Sequence, residues 1–377
     1  MKNDTPSYER YQRQIILKQF GEAGQQKLQQ AKVLVVGAGG LGCPALQYLV
    51  AAGVGNIGIV DGDVVSLSNL HRQPLYTTFD IGFSKAEKAK HSLSRLNPDI
   101  IITACYNHLT PQNALTILSA YDIILDATDN FASRYLINDA CVMLNKILVF
   151  GAVSQFEGQV AVFNCIGRNG TAPVNYRDLF PTPPKDDEVL NCAEAGVLGV
   201  LPGIIGTMQA NETIKLITGL GKPLINLLLT YNALHNSMYD VLVTAQPGTR
   251  QLIPATAHDF EQTDYNWLCA SGNQPLQIDA ETFSRLSNTA SVQIIDVREA
   301  GELPLPAGFN YQQIPLSIFK HNMDNIKSDT IIVFCQTGKR SLQAAQLLAD
   351  KYGSTKKIFS LQGGLLNWLN TTPTSML

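Results

Sequence analysis

The chain has 377 residues, 45 % of them hydrophobic and 16 % charged, with a formal net charge of −3. This length holds two domains or three, and the weakly acidic balance excludes nucleic-acid binding by bulk electrostatics. No stretch of membrane-spanning length escapes polar interruption, so no membrane partner is expected.

Residues 1–21 are polar and mixed in charge, without the apolar core of a secretory signal. Residues 32–37 read as a buried, valine-rich strand, 41–52 as a helix and 57–61 as a second strand. Ser84 can cap a helix running to about residue 96, where Asn97-Pro98 stops it. Further strands fall at 100–105, 122–126 and 147–151, with helical stretches between them. Continuous apolar strands alternating with helices predict a doubly wound, Rossmann-like and mainly parallel sheet. After Gly158 the pattern changes, and 159–163 and 226–230 read as strands of an antiparallel extension. Between them a proline-rich loop at 181–184 precedes a helical region at 201–216. Residues 244–275 show little periodicity and read as a linker, in which Phe260 and Trp267 could dock. A small α/β unit follows, with helices at 279–286, 341–352 and 364–369 and strands at 292–296, 330–335 and 357–360. The expected division is therefore 1–244, a linker at 245–276, and 277–377.

Seven cysteines, Cys43, Cys105, Cys141, Cys165, Cys192, Cys269 and Cys335, lie far apart, and no C-x-x-C pair exists. An odd number of scattered cysteines and no signal segment point to reduced thiols in a cytoplasm, without a structural zinc site.

Gly37, Gly39 and Gly42 form G-x-G-x-x-G, with Gly40 inside it, between a strand and a helix. Glycine there allows a tight turn and close approach of backbone to phosphate, and the helix N-terminus adds positive potential. Asp61 ends the next strand, 19 residues after Gly42, where a carboxylate can bond ribose hydroxyls. This much suits an NAD-dependent oxidoreductase equally well. The segments that follow favour a triphosphate, which carries about four negative charges and needs several cations with a metal-binding carboxylate. Arg13, Arg72, Lys85 and Asp129 supply that set.

The order of motifs over residues 8–244 resembles the MoeB/ThiF adenylyltransferases, relatives of the ubiquitin-activating enzymes. They are the R-Y-x-R-Q-I start, G-x-G-G-L-G, D-x-D-x-V-x-x-S-N-L-x-R-Q from Asp61 to Gln73, Lys85, T-D-N-x-x-x-R from Thr128 to Arg134, and N-C-A-E-A-G-V from Asn191 to Val197. The resemblance implies ATP-dependent activation of the C-terminal Gly-Gly carboxylate of a ubiquitin-like sulfur carrier, giving an acyl-adenylate and pyrophosphate. It implies that Arg72 and Lys85 contact the phosphates, that Asp129 supports Mg²⁺, that Asn69 lies near the α-phosphate and that Asp61 holds ribose. Asp63, Ser68 and Asn130 join the ATP site by the same motifs. Arg13 resembles the family's arginine finger, supplied by the second protomer of a homodimer. Cys192 stands where the family carries a reactive cysteine.

Cys335 follows an apolar strand and precedes a helix, in Cys335-Gln336-Thr337-Gly338-Lys339-Arg340-Ser341. Such a loop puts successive backbone N–H groups around the sulfur, and Lys339 and Arg340 add positive charge, an environment that suits a thiolate or persulfide. Tyrosine phosphatases place five residues between Cys and Arg, whereas four separate Cys335 from Arg340. The smaller loop resembles the rhodanese family, which carries sulfane sulfur on a cysteine. Ile295-Asp296-Val297-Arg298-Glu299 and Leu361-Gln362-Gly363-Gly364 support this, with Asp296 and Arg298 read as scaffold. Two departures stand out. The segments 171–178 and 247–250 lack the cysteine pairs with which many MoeB/ThiF proteins bind zinc, and 303–308 replaces a longer segment of the rhodanese pattern.

The combination resembles MoeZ-type sulfurylases: a cytoplasmic adenylyltransferase using ATP and Mg²⁺, fused to a sulfurtransferase. The implied partners are a MoaD-like carrier of molybdenum cofactor biosynthesis, or the ThiS-like carrier of the thiamine pathway, and a sulfur donor such as a cysteine desulfurase or thiosulfate. The linker would have to let Cys335 reach the adenylate. The other readings are an oxidoreductase with a regulatory rhodanese module, and a binding module that has lost sulfur transfer.

Overall fold

This computed structural model describes residues 8–167, 170–183, 196–265, 276–287, 289, 291–352 and 355–371. They fall into two compact units, the larger ending at Tyr265 and the smaller beginning at Leu276.

Two helices, α1 (Tyr8–Ile15) and α2 (Gly21–Gln30), precede the eight-stranded sheet of the first unit. Its strands are β1 (Lys32–Val36), β2 (Asn56–Val60), β3 (Ile101–Cys105), β4 (Ile123–Asp126), β5 (Ile147–Ser154), β6 (Glu157–Phe163), β7 (Leu227–Asn232) and β8 (Ser237–Leu242). They run in the order β3-β2-β1-β4-β5-β6-β7-β8. The pairs from β3 to β5 are parallel and those from β5 to β8 antiparallel. Val33 to Val36 are all buried, so both faces of β1 are covered and its sequence is continuously apolar. On one face Val33, Val35, Ile57 and Ile59 pack with Leu46 and Leu49 of helix α3 (Gly42–Ala52), Leu93 of α4 (Lys85–Leu96), and Leu201 and Ile205 of the helix Val200–Thr218. Ser84 caps α4 as expected, its hydroxyl accepting from Glu87 N at 3.4 Å. Two further helices, α5 (Pro111–Ser119) and α6 (Phe131–Leu144), flank β4. Sequence reading passed over β8, whose residues are exposed throughout and therefore carry no apolar alternation.

The strand order reverses between β1 and β4, and open α/β sheets bind ligands at such a reversal, beyond the carboxyl ends of the strands. Val36 pairs with Asp126, which sets the glycine turn after β1 against the turn after β4. The contact leaves no room for side chains: a Cβ on Gly37, whose φ is +94°, would lie 2.6 Å from Ala127 O. One on Gly42 would lie 1.9 Å from Gly37 O.

Part of the segment read as linker is folded here. A 3₁₀ turn (Thr249–Leu252) and the helix Ala257–Gln262 belong to the first unit, with Phe260 fully buried against Tyr265. The Tyr265 hydroxyl donates to buried Asp139 at 2.9 Å. A six-residue helix has too few turns to show a period in sequence. Asp178 accepts from Gln246 N at 2.9 Å and from Thr249 Oγ1 at 2.5 Å, joining the two segments that lack the paired cysteines. Trp267 and residues 184–195 lie outside the described residues.

The second unit is a parallel five-stranded sheet of β9 (Leu276–Ile278), β10 (Val292–Asp296), β11 (Gln312–Gln313), β12 (Thr330–Phe334) and β13 (Lys357–Leu361), in the order β11-β10-β12-β13-β9. The short edge strands β9 and β11 escaped sequence reading because three and two residues carry no pattern. Phe283, Phe334 and Trp368 pack on one side, and Ala344, Ala345 and Leu348 of the helix Lys339–Tyr352 on the other. Among the described residues no helix is long and apolar enough to cross a membrane.

Because the Gly42 clash is with backbone and not with a movable side chain, Gly42→Ala is expected to destabilise the first unit by more than about 2 kcal/mol. Thermal unfolding should show a fall in Tm, and an unchanged Tm would mean that the turn has room.

Candidate active site

An open cleft lies at the reversal point, with Gly40, Arg72, Gln73, Thr128, Asp129 and Arg134 on its wall. Arg72 is presented by the 3₁₀ turn Leu67–Asn69, and its Nη1 donates to Ser68 O at 3.0 Å. Asp129 is an exposed carboxylate just past β4. Arg134 lies in the first turn of α6, so its side chain leans back toward the helix N-terminus and the cleft. It sits over the rings of Phe131 and Phe150, 5.3 and 5.7 Å from their centroids.

Three buried polar atoms here have no protein partner: Gln73 Oε1, Arg134 Nε and Asp126 Oδ2. Gln73 and Arg134 are 3 % and 7 % exposed. An unpaired buried polar group costs about 1–3 kcal/mol, so such a set marks a place that a polar ligand completes. Asp126 accepts from Thr128 N and Oγ1 at 3.0 and 2.6 Å. Burial raises its pKa, and the charge of Arg134 works against that rise.

Behind the cleft, Asp61 fixes the glycine turn. Its Oδ2 accepts from Ala38 N at 2.7 Å and its Oδ1 from Asp63 N at 2.8 Å. Burial raises the pKa of this carboxyl, opposed chiefly by the charge of Lys85. Lys85, buried at the start of α4, donates to Asp63 at 2.9 Å. The Tyr76 hydroxyl donates to Ala38 O at 2.7 Å and lies 3.2 Å from Lys85 O. The expected residues thus divide by position. Gly40, Arg72 and Asp129 form the wall, while Gly37 and Gly42 make the turn possible. A Cβ on Gly39 would meet only Gln73 Nε2, at 3.5 Å, so this glycine leaves the backbone open to a ligand. Asp61, Asp63 and Lys85 are linked to the turn by hydrogen bonds.

Asn69 and Asn130 have local tasks. Asn69 Oδ1 accepts from Ser66 N at 3.4 Å, and Asn130 caps α6 by accepting from Ser133 N at 2.9 Å. Ser68 meets Ser66 at 3.1 Å. Arg13 is exposed on α1, and Cys192 lies outside the described residues. Gln73, Asp126 and Arg134 were not singled out from sequence, although Gln73 and Arg134 end two of the quoted motifs. Their unpaired atoms become visible only when the turns are assembled.

In the second unit Cys335 follows directly after β12 and is fully buried. Gly338 N donates to its Sγ at 3.2 Å, and the thiol lies 3.5 Å from Ser341 Oγ. Gly338 has φ +89° and Gly364 φ +64°, and a Cβ on Gly364 would lie 2.5 Å from Cys335 O. Asp296 and Arg298 form a buried ion pair at 2.7 Å. Arg298 also donates to Gln336 Oε1 at 3.1 Å and to Pro304 O at 2.9 Å, bracing the loop from behind as a scaffold. Thr337 and Lys339 are exposed. Arg340, expected to add positive charge beside the sulfur, also carries an ion pair. Its two terminal nitrogens are committed to Glu302 at 2.6 and 2.7 Å, because the short segment after Glu299 brings that carboxylate to the loop.

The sequence profile of the ThiF family matches residues 11–251, and that of the rhodanese-like domain matches residues 279–371. The chain belongs to the ThiF family. This ThiF-family chain is 40 % identical over 367 residues to the "Probable adenylyltransferase/sulfurtransferase MoeZ" of Mycobacterium tuberculosis, covering 95 % of this chain and 92 % of that protein. It is 54 % identical over 239 residues to the "Sulfur carrier protein adenylyltransferase" of Thermus thermophilus, covering 63 % of this chain and 88 % of that one. Similarity to "Adenylyltransferase and sulfurtransferase MOCS3" of Drosophila grimshawi is 39 %, over 96 % of this chain and 84 % of the relative. Among solved structures, E. coli MccB aligns with a TM-score of 0.56 at 20 % identity, over 65 % of this chain and 74 % of that one, which establishes a shared fold. With both domains present, the protein is an enzyme of the adenylyltransferase and sulfurtransferase class.

Hydrogen bonds from Arg340 hold the Glu302 carboxyl at about 2, against an ordinary 4.5. A carboxyl depressed in the folded state stabilises above its unfolded pKa, and that contribution disappears as pH falls from about 4.5 through about 2. Acid unfolding of Glu302→Gln should lack this part of the pH dependence in that window. Superimposable wild-type and variant profiles would show that the pair contributes nothing.

Proposed function

We propose that the chain adenylylates the C-terminal glycine of a ubiquitin-like sulfur carrier and then converts it to a thiocarboxylate with sulfur carried on Cys335. The observation that carries this reading is the convergence of Arg72, Asp129, Arg134 and Gln73 on one cleft beside the glycine turn, with buried polar atoms left unpaired. The names and coverage of the relatives support the same activity.

In the first step a carboxylate oxygen of the carrier attacks the α-phosphorus of ATP. The bond to the bridging oxygen breaks, and pyrophosphate leaves. Charge grows on the phosphoryl oxygens, and preplaced cations lower that barrier. Arg72 stands on the wall for this role, and Arg134 offers its unpaired Nε. Lys85 acts by releasing Asp63 or through its field, and Arg13 of a second protomer would complete the site in a homodimer. Asp129 and the nucleotide phosphates would hold Mg²⁺, which neutralises charge on the transferred group.

In the second step the outer sulfur of a Cys335 persulfide attacks the acyl carbon and AMP leaves, giving an acyl disulfide. A second thiol, assigned to Cys192, attacks Cys335 Sγ, forming a Cys192–Cys335 disulfide and releasing the thiocarboxylate. A cellular thiol must then reduce that disulfide. A MoaD-like carrier is the first choice and a ThiS-like carrier the second.

ATP–pyrophosphate exchange should depend on a Gly-Gly-ended carrier and fall by about a hundredfold or more in Asp129→Ala. Cys335→Ser should retain exchange and lose thiocarboxylate formation. Full exchange in Asp129→Ala would overturn the assignment of the cleft.

A further inference from the structure

Many MoeB/ThiF proteins carry zinc on two cysteine pairs, and the corresponding segments of this chain, 171–178 and 247–250, contain no cysteine. The residues present do not fit that ion, which takes four ligands from thiolates, imidazoles and carboxylates. Asp178 is the one carboxylate in the two segments, and both of its oxygens are taken. Its Oδ2 accepts from Asn175 N and Asn175 Nδ2, both at 2.8 Å. Its Oδ1 accepts from Gln246 N at 2.9 Å and from Thr249 Oγ1 at 2.5 Å. An ionised carboxylate only accepts, at about four lone-pair sites, and here four donors meet it. Thr249 lies 71 positions from Asp178, and both are buried. The neighbouring Arg177 grips Asp139 of α6 through Nε and Nη2, at 2.8 and 2.7 Å, with both side chains buried. Asn138 of α6 accepts from Tyr176 N at 2.8 Å. The segment is thereby fixed to α6 on one side and to residues 246–249 on the other. The same helix carries Arg134, which sits over Phe150, and the Phe150 ring meets that of Tyr176 at 5.3 Å. What fixes this segment therefore also backs the cleft.

We propose that Asp178, backed by the Arg177–Asp139 pair, takes the place of a metal cross-link: its carboxylate ties residues 175–178 to the turn Thr249–Leu252, and the larger unit holds together without zinc. A structural zinc contributes folding energy by joining ligands that the unfolded chain keeps apart. The Asp178 carboxylate closes the same kind of loop. Hydrogen bonds to an ionised acceptor are roughly twice as strong as neutral ones, and burial keeps water from competing for them. A cation bound to Asp178 would have to displace Asn175, Gln246 or Thr249 and leave buried donors unpaired. The carboxylate and the metal are thus alternatives at this place, and the hydrogen bonds present select the carboxylate.

The test uses the full chain. Zinc is measured by plasma mass spectrometry, and the Tm of the larger unit with and without a strong chelator. Zinc should be far below one per chain and the chelator should move Tm by less than about 1 °C, since removing a ligand destabilises only a folded state that holds it. Asp178→Asn keeps the shape and turns one acceptor oxygen into a donor facing donors. It should lower Tm by about 4 °C or more. Thr249→Val removes one of the four bonds at similar size and should lower Tm by about 2–4 °C. It supplies the reading if the first variant does not fold. The double variant should lose less than the sum of the two, because both act on one contact. One zinc per chain, with a Tm that falls by more than about 5 °C in chelator, overturns the proposal. Single variants that keep the wild-type Tm also overturn it, as does a double variant whose losses simply add.

Discussion

The larger unit depends on a backbone contact that only glycine permits. Gly37 lies against Ala127, and Gly42 against Gly37, at distances that exclude a Cβ. This contact brings the turn after β1 onto the turn after β4 at the point where strand order reverses. The cleft follows from it: Gly40 comes from one turn, Asp129 and Arg134 from the other and its helix. Asp61 then holds the turn in place through Ala38 N, and Tyr76 holds it from the carbonyl side. A site assembled this way is preorganised by the main chain, leaving side chains free for a ligand.

The two units handle charge differently. In the first, the cleft retains polar capacity that the protein does not satisfy, at Arg134, Gln73 and Asp126. A polar ligand that paired these atoms would recover the cost of leaving them unpaired. In the second, each arginine near Cys335 is matched by a carboxylate, and the sulfur is approached by Gly338 N–H. The buried Asp296–Arg298 pair is better understood as a brace than as a source of stability. Burying two charges costs about as much as their attraction returns, whereas the arginine's remaining donors fix Gln336 and Pro304.

Much of this was legible before any coordinates. The strands of the parallel half and the helix capped by Ser84 announced themselves because they are buried on both faces or begin with a clear cap. Short or exposed elements did not: β8 buries no residue, and β9 and β11 are too short to carry a pattern. The ordered stretch through Phe260 and Tyr265 read as linker because its anchors lie far off in sequence, among them Gln112, which donates to Glu261 O, and Asp139, 126 positions from Tyr265.

The amino-acid order alone determined which chemistry the chain carries, since motif spacing records the local turns and charges that a nucleotide or a reactive sulfur needs. It could not say which of those charges stay available. Lys85 is held by Asp63 and Arg340 by Glu302, partners 22 and 38 residues away, while Arg134 keeps an unpaired nitrogen. Such pairings are settled by distances between segments that meet only after the sheet has formed. For that reason the tertiary structure, and not the motif list, decided which cations face the cleft and which are already spoken for.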